Sequence, residues 1–169
     1  MSSLDRSAVG SPQSAGEAGS AAALQTVVIA LGSNLGDRRY NLLRAIDALK
    51  SVMRIVRMSS IRETEPVDAP PGSPPFLNMV VAGYTALAPE RLLEELLAIE
   101  KRLGRVRRGI RNEPRVLDLD LILYGAVRMR TKTLTLPHPR AHERSFVMEP
   151  LLECGVPPNA FPSPRPHRR

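Results

Sequence analysis

The sequence has few of the residues that cross-link small domains or supply aromatic surface. Its 169 residues include one cysteine, Cys154, and no tryptophan, and aromatic side chains make up 4% of the composition. A single cysteine excludes an internal disulfide framework and a cysteine-rich zinc site. We expect Cys154 to be a small buried thiol near the last helix, in a protein of a reducing compartment.

Several targeting and nucleotide-binding signals are also missing. No apolar run is long enough to span a bilayer, and the first residues lack the basic-then-apolar order of a secretory signal. The sequence contains neither G-x-x-x-x-G-K-[ST] nor G-x-G-x-x-G, which argues against a P-loop or a Rossmann mode of nucleotide binding. We therefore expect a soluble, cytoplasmic protein without a membrane partner.

Length and composition indicate one globular domain between two tails. Residues 1–25 are rich in Ser, Ala and Gly without hydrophobic periodicity, which predicts a disordered tail. Residues 159–169 are basic and proline-rich and predict a second tail. The domain is expected to span residues 26–158, a length that buries a single core.

Hydrophobic periodicity predicts strands and helices within this domain. The segments, in order, are the strand Thr26–Leu31, a helix after Asp37, the strands Arg54–Ile61 and Phe76–Leu87, a helix from Pro89 to Gly104, the strand Pro114–Gly125, a hairpin, and a helix over 144–154. This order predicts an α+β fold with a ferredoxin-like βαββαβ core: an antiparallel sheet, helices packed on one face, and a C-terminal hairpin and helix extension. Five prolines in 64–75 predict a stiff loop.

Two carboxylates interrupt the most apolar strand, "PRVLDLDLILYG". Side chains two apart leave a strand on the same face, so Asp118 and Asp120 should point together, with Leu117, Leu119 and Leu121 on the core side. Two adjacent carboxylates raise each other's pKa unless a positive group lies between them. That group is either arginine, in a structural salt bridge, or a hard cation such as Mg²⁺, which prefers oxygen ligands.

An arginine-rich segment precedes this strand. The formal net charge is +7, and residues 101–115 hold seven basic side chains against one acid, Glu113. Such crowding of like charge favours an anionic ligand, and guanidinium groups bind phosphate oxygens in a bidentate fork. This arrangement indicates a site that binds a polyphosphate between arginines and metal ions. A solvated basic surface is the alternative for Arg107, Arg108 and Arg111.

These motifs together resemble a known enzyme family. "ALGSNLGDR", "FLN", "GRVR", "PRVLDLDLILYG" and "LTLPHPRAHERSFVMEPL" occur in the order and spacing of 6-hydroxymethyl-7,8-dihydropterin pyrophosphokinases, over about Thr26–Pro158. The resemblance implies transfer of pyrophosphate from ATP to the pterin hydroxymethyl group, with release of AMP, in folate biosynthesis. It implies two Mg²⁺ ions held by Asp118 and Asp120, with ATP as co-substrate.

The resemblance also implies roles for individual residues. Catalysis is assigned to Arg105, Arg115, Asp118 and Asp120. ATP binding is assigned to Glu100, Arg105, Arg107, Arg111, Arg115, Leu121, Thr135, His138 and Arg144. Pterin binding is assigned to Thr64, Pro66, Val67, Phe76, Asn78 and Phe146, with the two rings stacking on the heterocycle and the amide reading its edge. Many members carry Trp-Gly or a small residue where this sequence has Asn112 and Glu113.

Two other classes of function remain open from the residues alone. A ferredoxin-like RNA-binding module fits the fold and the charge, although its "[KR]-G-[FY]-[GA]-[FY]-V-x-[FY]" motif is absent. A nucleotidyltransferase with a D-x-D motif would release pyrophosphate instead of AMP. We expect small-molecule substrates, ATP and the dihydropterin, no nucleic-acid partner, and a monomer.

Overall fold

The computed structural model describes residues 23–110, 112–157 and 160. The strands are β1 (Gln25–Ser33), β2 (Arg54–Met58), β3 (Arg62–Thr64), β4 (Phe76–Thr85), β5 (Asp118–Tyr124), β6 (Met129–Arg130) and β7 (Thr135–Leu136). The helices are α1 (Arg38–Leu49), α2 (Pro89–Arg102) and α3 (Ser145–Glu153), with a 3₁₀ turn at Ala141–Glu143. In the described residues, no helix combines the length and the apolar character needed to cross a membrane.

The central sheet has the strand order β2-β4-β1-β5, and every pairing in it is antiparallel. The short strand β3 continues the β2 edge along the first half of β4. Strands β6 and β7 form a separate hairpin. The ferredoxin-like α+β fold with its C-terminal hairpin and helix is therefore confirmed.

Local signals explain where the two long helices begin. The Asp37 side chain accepts a hydrogen bond from the backbone N–H of Tyr40, the usual N-cap arrangement. Pro89 occupies the first turn of α2, where a missing N–H costs nothing. Both helices place leucines at helical spacing against the sheet, which makes this face the main core.

The alternation of β1 divides the sheet into two faces. Val27, Ile29 and Leu31 pack under α1 and α2, as the predicted one-sided packing requires. Val28 and Ala30 face the opposite side, which α3 of the C-terminal extension covers in part. Near the C-terminal end of β1, this face of the sheet borders a cleft between loops.

Two predicted strand boundaries are wrong. The strand predicted over Arg54–Ile61 ends at Met58 as β2, and the chain returns to the sheet only at Arg62 in β3. It leaves the ladder at Ser59, whose hydroxyl accepts from the Val80 N–H. The strand predicted from Pro114 begins only at Asp118. Arg115 makes its backbone hydrogen bonds with Asn34, through the Asn34 side chain at 2.7 Å and its N–H at 3.1 Å, and so does not join the sheet.

The proline-rich loop 65–75 is tied to the end of β1 and the start of α1. Asn34 Nδ2 donates to the Pro74 carbonyl at 3.0 Å, and Arg38 Nη1 donates to the Pro75 carbonyl at 2.7 Å. Arg38 also pairs with Glu63 in β3 at 2.7 Å. These contacts hold the loop beside the sheet end that carries Asp118. The predicted tail 1–25 lies outside the described residues up to residue 22, as does most of the tail 159–169.

Candidate functional site

A cleft with aromatic walls opens beside the N-terminal ends of β4 and β5. The empty space in and before the cleft is about 680 Å³, a volume that includes open solvent. Its walls come from β1, β4, β5, the proline-rich loop, and the start of α3. We call it the aromatic cavity, and the side chains that matter most for a flat ligand are Thr64, Val67, Phe76, Asn78 and Phe146.

The amide of Asn78 is held at one end of this cavity. Its Nδ2 donates to the Thr64 hydroxyl at 2.7 Å, which fixes the orientation and leaves Oδ1 as an acceptor. Gly32, opposite Asn78 in the β1–β4 ladder, makes room for that oxygen. A Cβ on Gly32 would lie 2.8 Å from Asn78 Oδ1 and 3.4 Å from the Phe76 ring.

Replacing Gly32 with alanine should displace the Asn78 amide. The new methyl group cannot share the space with Oδ1 at 2.8 Å, so we expect the affinity for a pterin to fall about tenfold, the scale of one hydrogen bond to a buried group. Fluorescence titration with the pterin measures this. Nucleotide affinity in the same variant is the internal control, and an unchanged pterin affinity would contradict the role of Asn78.

A second cavity, the arginine cavity, lies on the other side of the two carboxylates. Its lining includes Arg105, Arg107, Glu113 and His138. It shares with the aromatic cavity the residues Asn112, Arg115, Asp118, Asp120 and Arg144. Two chemically different compartments therefore meet at Asp118 and Asp120, whose side chains leave β5 on the same face, as predicted.

Asp118 is paired with two arginines. Arg105 Nη1 lies 2.5 Å from Asp118 Oδ1, and Arg115 Nη2 lies 2.7 Å from Asp118 Oδ2. Burial favours the neutral acid, but the two guanidinium groups outweigh it and lower the pKa of Asp118 below its usual value. Of the two partners that the sequence allowed for the carboxylates, arginine or a hard cation, Asp118 has arginine.

Glu100 is a buried carboxylate that pairs with arginines of the same site. Its side chain is 2% exposed, accepts from the Leu119 N–H at 2.8 Å, and pairs with Arg105 and, at 3.0 Å, with Arg107. Burial raises the pKa of Glu100, and the Leu119 N–H and Arg105 oppose that rise. Glu100 thus connects α2, the first residues of β5, and the arginine-rich loop between these two elements, which we call the arginine loop.

Asp120 has a much weaker partner. Arg144 Nη1 lies 3.7 Å from Asp120 Oδ2, too far for a strong hydrogen bond. Burial, together with the neighbouring negative charge of Asp118, raises the pKa of Asp120 to about 7. Near neutral pH, Asp118 is therefore ionised and Asp120 is partly protonated. A bound cation would favour the ionised form of Asp120.

The raised pKa of Asp120 predicts a pH-dependent stability. A pKa higher in the folded state stabilises the fold at low pH, and that contribution is lost as pH rises from about 4 to about 7. About a third of the Asp120 side chain is exposed, so we discount the full shift and expect Asp120→Asn to gain about 1–2 kcal/mol on the wild type between pH 5 and pH 8.

Urea unfolding of the metal-free protein at the two pH values measures that gain. Asp47→Asn removes an exposed carboxylate from α1 and is the matched control. A gain of the same size in Asp47→Asn, or none in Asp120→Asn, would contradict the pKa of Asp120.

His138 is neutral at physiological pH. Burial and the nearby charge of Arg144 lower its pKa to about 4. Its Nδ1 accepts from the Arg140 N–H at 3.3 Å, which places the ring proton on Nε2. His138 therefore presents a neutral N–H donor to the arginine cavity.

Arginines cover both rings of the aromatic cavity. The guanidinium of Arg115 lies 5.2 Å from the centroid of Phe76, and that of Arg144 lies 5.5 Å from the centroid of Phe146. Arg115 Nε is a buried side-chain nitrogen without a hydrogen-bond partner in the described part of the chain. An unpaired buried guanidinium N–H is costly, and an anionic oxygen would satisfy it.

The structure brings most of the candidate residues to the two cavities. Only Pro66 of the pterin set is absent from the cavity lining. On the ATP side, Leu121 packs in the core under the helices, because strand alternation turns it away from Asp118 and Asp120. Glu100 is buried beneath the arginines, and Thr135 lies in β7; neither lines a cavity. Arg111 lies outside the described residues. The assigned roles remain predictions.

Three further residues connect the loops around the cleft. Asn34 connects the arginine loop to the proline-rich loop, Arg38 holds the latter at Pro75, and Arg140 lines the aromatic cavity and pairs with Asp68 at 3.1 Å. All three lie in the motifs "ALGSNLGDR" and "LTLPHPRAHERSFVMEPL" that carry the family resemblance, but no role was assigned to Arg38 or Arg140.

The sheet and the cleft together define a ferredoxin-like α+β domain with two adjoining cavities at one end of the sheet. The family described as "7,8-dihydro-6-hydroxymethylpterin-pyrophosphokinase (HPPK)" matches residues 28–155, about three quarters of the chain. This chain belongs to that family. The resemblance found in the sequence motifs is thereby confirmed.

The chain is similar both to proteins much longer than itself and to proteins of comparable length. The "Folate synthesis bifunctional protein, mitochondrial" of Pisum sativum is 46% identical over 76% of this chain, which spans only 25% of that relative. The "2-amino-4-hydroxy-6-hydroxymethyldihydropteridine pyrophosphokinase" of Bacillus subtilis is 44% identical over 74% of this chain and 75% of its own length. A crystal structure of Plasmodium falciparum HPPK-DHPS with pteroate supports the fold, with a TM-score of 0.60 at 12% identity, covering 78% of this chain and 39% of that one.

Proposed function

We propose that this chain transfers the β,γ-pyrophosphoryl group of ATP to the hydroxymethyl oxygen of 6-hydroxymethyl-7,8-dihydropterin and releases AMP. One observation carries the proposal: an aromatic cavity and an arginine cavity meet at Asp118 and Asp120. A flat acceptor on one side and a polyphosphate on the other would bring the alcohol and the β-phosphorus together at the carboxylates. Family membership and the names of the relatives support the same reaction.

The acceptor side would orient the pterin. Phe76 and Phe146 offer aromatic faces for the heterocycle, and the free Oδ1 of Asn78 accepts one of its N–H groups. The arginines now lying over the two rings belong to the shared wall. A pterin entering between the rings therefore displaces Arg115 and Arg144 toward the phosphates.

The donor side would neutralise the triphosphate. Arg105, Arg115 and Arg144 supply guanidinium groups, and His138 supplies a neutral N–H. Arg115 Nε, which is buried and unpaired in the described residues, would gain a partner if its guanidinium moved to a phosphate oxygen. In-line transfer needs charge neutralisation and alignment but no nucleophilic side chain. The residues of the arginine cavity would supply part of that neutralisation, and metal ions would supply the rest.

We further propose that Asp118 and Asp120 hold Mg²⁺, in two ions as the family resemblance implies. In the described residues no group of three or more His, Cys, Asp or Glu side chains is placed to hold a metal, and the pair suits Mg²⁺ because this ion takes one or two carboxylates plus phosphate oxygens and water. When bound, Mg²⁺ would neutralise the phosphate oxygens and align them for displacement. Asp118 becomes available as Arg105 and Arg115 turn to the phosphates.

The proposal also covers the cellular location and the oligomeric state of the enzyme. We infer a cytoplasmic location, because Cys154 is a buried free thiol, as expected in a reducing compartment. We also propose that the enzyme is a monomer, as the sequence analysis expects. Light scattering coupled to size-exclusion chromatography tests the second inference, and a dimer would contradict it.

The decisive assay incubates the protein with ATP, Mg²⁺ and the dihydropterin and separates the nucleotides. We expect AMP and the pterin diphosphate in equal amounts, with no AMP when the pterin is omitted. Release of pyrophosphate would instead indicate a nucleotidyltransferase. Salt-sensitive RNA binding without turnover would replace the proposal with the RNA-binding module.

A further inference from the structure

Helix α3 carries one ring of the aromatic cavity and two glutamates on the same side. Phe146, Glu149 and Glu153 are spaced i, i+3 and i+7, which places their side chains along one stripe of the helix. Val147 and Leu151 belong to a second stripe, which packs against the sheet. Apolar burial is non-directional, so directional contacts of the first stripe add a rotational and lengthwise position to the helix.

Arg62, at the start of β3, binds both glutamates. Its Nη1 pairs with Glu149 and its Nη2 with Glu153, across 87 and 91 positions of sequence. Glu153 also accepts from the Ser60 N–H at 2.7 Å and from the Ser60 hydroxyl at 3.0 Å. We call Ser60, Arg62, Glu149 and Glu153 the β3–α3 clamp.

The β3–α3 clamp is charged and partly exposed. The Ser60 N–H and the Arg62 guanidinium, both bound to the Glu153 carboxylate, hold its pKa at about 2. The side chains of Arg62, Glu149 and Glu153 are 40%, 56% and 32% exposed. Isolated ion pairs at such sites add little stability, but a guanidinium fork that binds two carboxylates has a defined geometry. The clamp therefore specifies position more than it stabilises the fold.

The clamp lies beside the residues that would contact a flat ligand. In the β3–β4 ladder Arg62 is opposite Asn78, and Thr64 is opposite Phe76. Alternation places Arg62 and Thr64 on the same face of β3, and the Thr64 hydroxyl accepts from the Asn78 amide. Strand β3 thus holds both the amide and α3. The distance between Phe76 on β4 and Phe146 on α3 is therefore set in part through β3.

Pro150 makes Phe146 more dependent on this contact. A proline inside a helix has no N–H, so the Phe146 carbonyl does not receive the hydrogen bond expected from position 150. The first turn of α3 is held less tightly by the helix itself. Glu149, which precedes Pro150, connects that turn to Arg62 from outside the helix.

We propose that the β3–α3 clamp sets the spacing of Phe76 and Phe146 and thereby the affinity for the flat acceptor, with Arg62 as a positioning residue. This proposal rests on the proposed function for the identity of the acceptor. Among the described residues that line the aromatic cavity, Arg62 and its clamp partners are absent. The clamp therefore acts through Phe146 and not by contact with the ligand.

Arg62→Met removes the guanidinium fork and keeps an apolar stem of similar length. We expect the Kd for 6-hydroxymethyl-7,8-dihydropterin, measured by fluorescence titration, to rise about three- to fivefold, the upper end for exposed ion pairs. In a Phe146→Leu background the same substitution should change the Kd by less than about 1.5-fold, because the ring that it positions is gone. Equal losses in both backgrounds, or an unchanged Kd in Arg62→Met alone, would overturn the proposal.

Arg91→Met is the matched control. Arg91 likewise binds two glutamates, Glu94 and Glu95, on the exposed side of α2. Its pterin Kd should stay within about 1.5-fold of the wild type, and a loss as large as that of Arg62→Met would refute the role of the clamp. Arg62→Lys keeps the charge without the fork and should give an intermediate Kd. A Kd above that of Arg62→Met would also refute it.

Steady-state kinetics separate positioning from a general distortion of the site. In Arg62→Met the KM for the pterin should rise by the same factor as the Kd, with kcat within about twofold of the wild type. A fall in kcat with KM unchanged would contradict the proposal. If the wild type binds no pterin and forms no AMP, the proposed function fails and the clamp role fails with it. An active wild type whose pterin KM is insensitive to Arg62 refutes the clamp role alone.

Discussion

Replacing Asp120 with alanine is expected to lower pterin-dependent AMP formation at least about 1,000-fold, equivalent to about 4 kcal/mol of transition-state stabilisation. The variant keeps the arginines but loses one of the two carboxylates at the junction of the cavities. Asp118→Ala should cause a loss of the same size. Initial rates of AMP release at saturating ATP and pterin measure both effects.

The fold should survive these substitutions. Without Asp118, Arg105 still pairs with Glu100, and Asp120 has only a distant partner in Arg144. Asp47→Asn, an exposed change in α1, is the activity control. Near-normal turnover in either aspartate variant, with its unfolding transition intact, would remove that residue from the catalytic role.

The second large effect is expected from Arg105→Ala, which should reduce both activity and stability. Arg105 pairs with the buried Glu100 and with Asp118, so its loss leaves Glu100 with the Leu119 N–H and the half-exposed Arg107. Breaking a buried ion pair from one side is costly, and we expect about 2–3 kcal/mol of lost stability. We also expect about a 100-fold loss of kcat/KM, because a cation of the phosphate site is removed.

A double variant separates the two consequences. Arg105→Ala combined with Glu100→Gln removes the uncompensated charge, so urea unfolding should show most of the stability restored. Activity should remain low, since no guanidinium returns. Arg102→Ala, an exposed arginine at the end of α2, is the control and should change neither quantity. Wild-type activity in Arg105→Ala would contradict the assignment, and an unrestored double variant would contradict the account of Glu100.

The features that the sequence predicted best depend on short-range periodicity. Alternation within β5 places Asp118 and Asp120 on one face and Leu119 on the other, whatever the rest of the chain does. The same rule shows why Leu121 does not reach the cleft: it shares the parity of Leu119. Motif resemblance assigned it to ATP, and strand geometry placed its side chain in the core.

Features that depend on contacts between distant loops could not be predicted from the sequence. The start of β5 is set by the contact of Arg115 with Asn34, 81 positions away, and local pattern carries no information about that distance. The unequal pKa values of Asp118 and Asp120 likewise depend on which carboxylate the arginines reach. The sequence showed Asn112 as a departure from the family pattern, but it gave no indication that the Asn112 amide donates to the Asp68 carbonyl.

The most direct test is a crystal structure of the protein with Mg²⁺, a non-hydrolysable ATP analogue and the dihydropterin. We expect oxygens of Asp118 and Asp120 within about 2.1 Å of Mg²⁺, Arg105 and Arg115 on phosphate oxygens, and the pterin between Phe76 and Phe146. Asp118 still locked to its two arginines without a metal, or the two aspartates facing separate environments, would contradict the account.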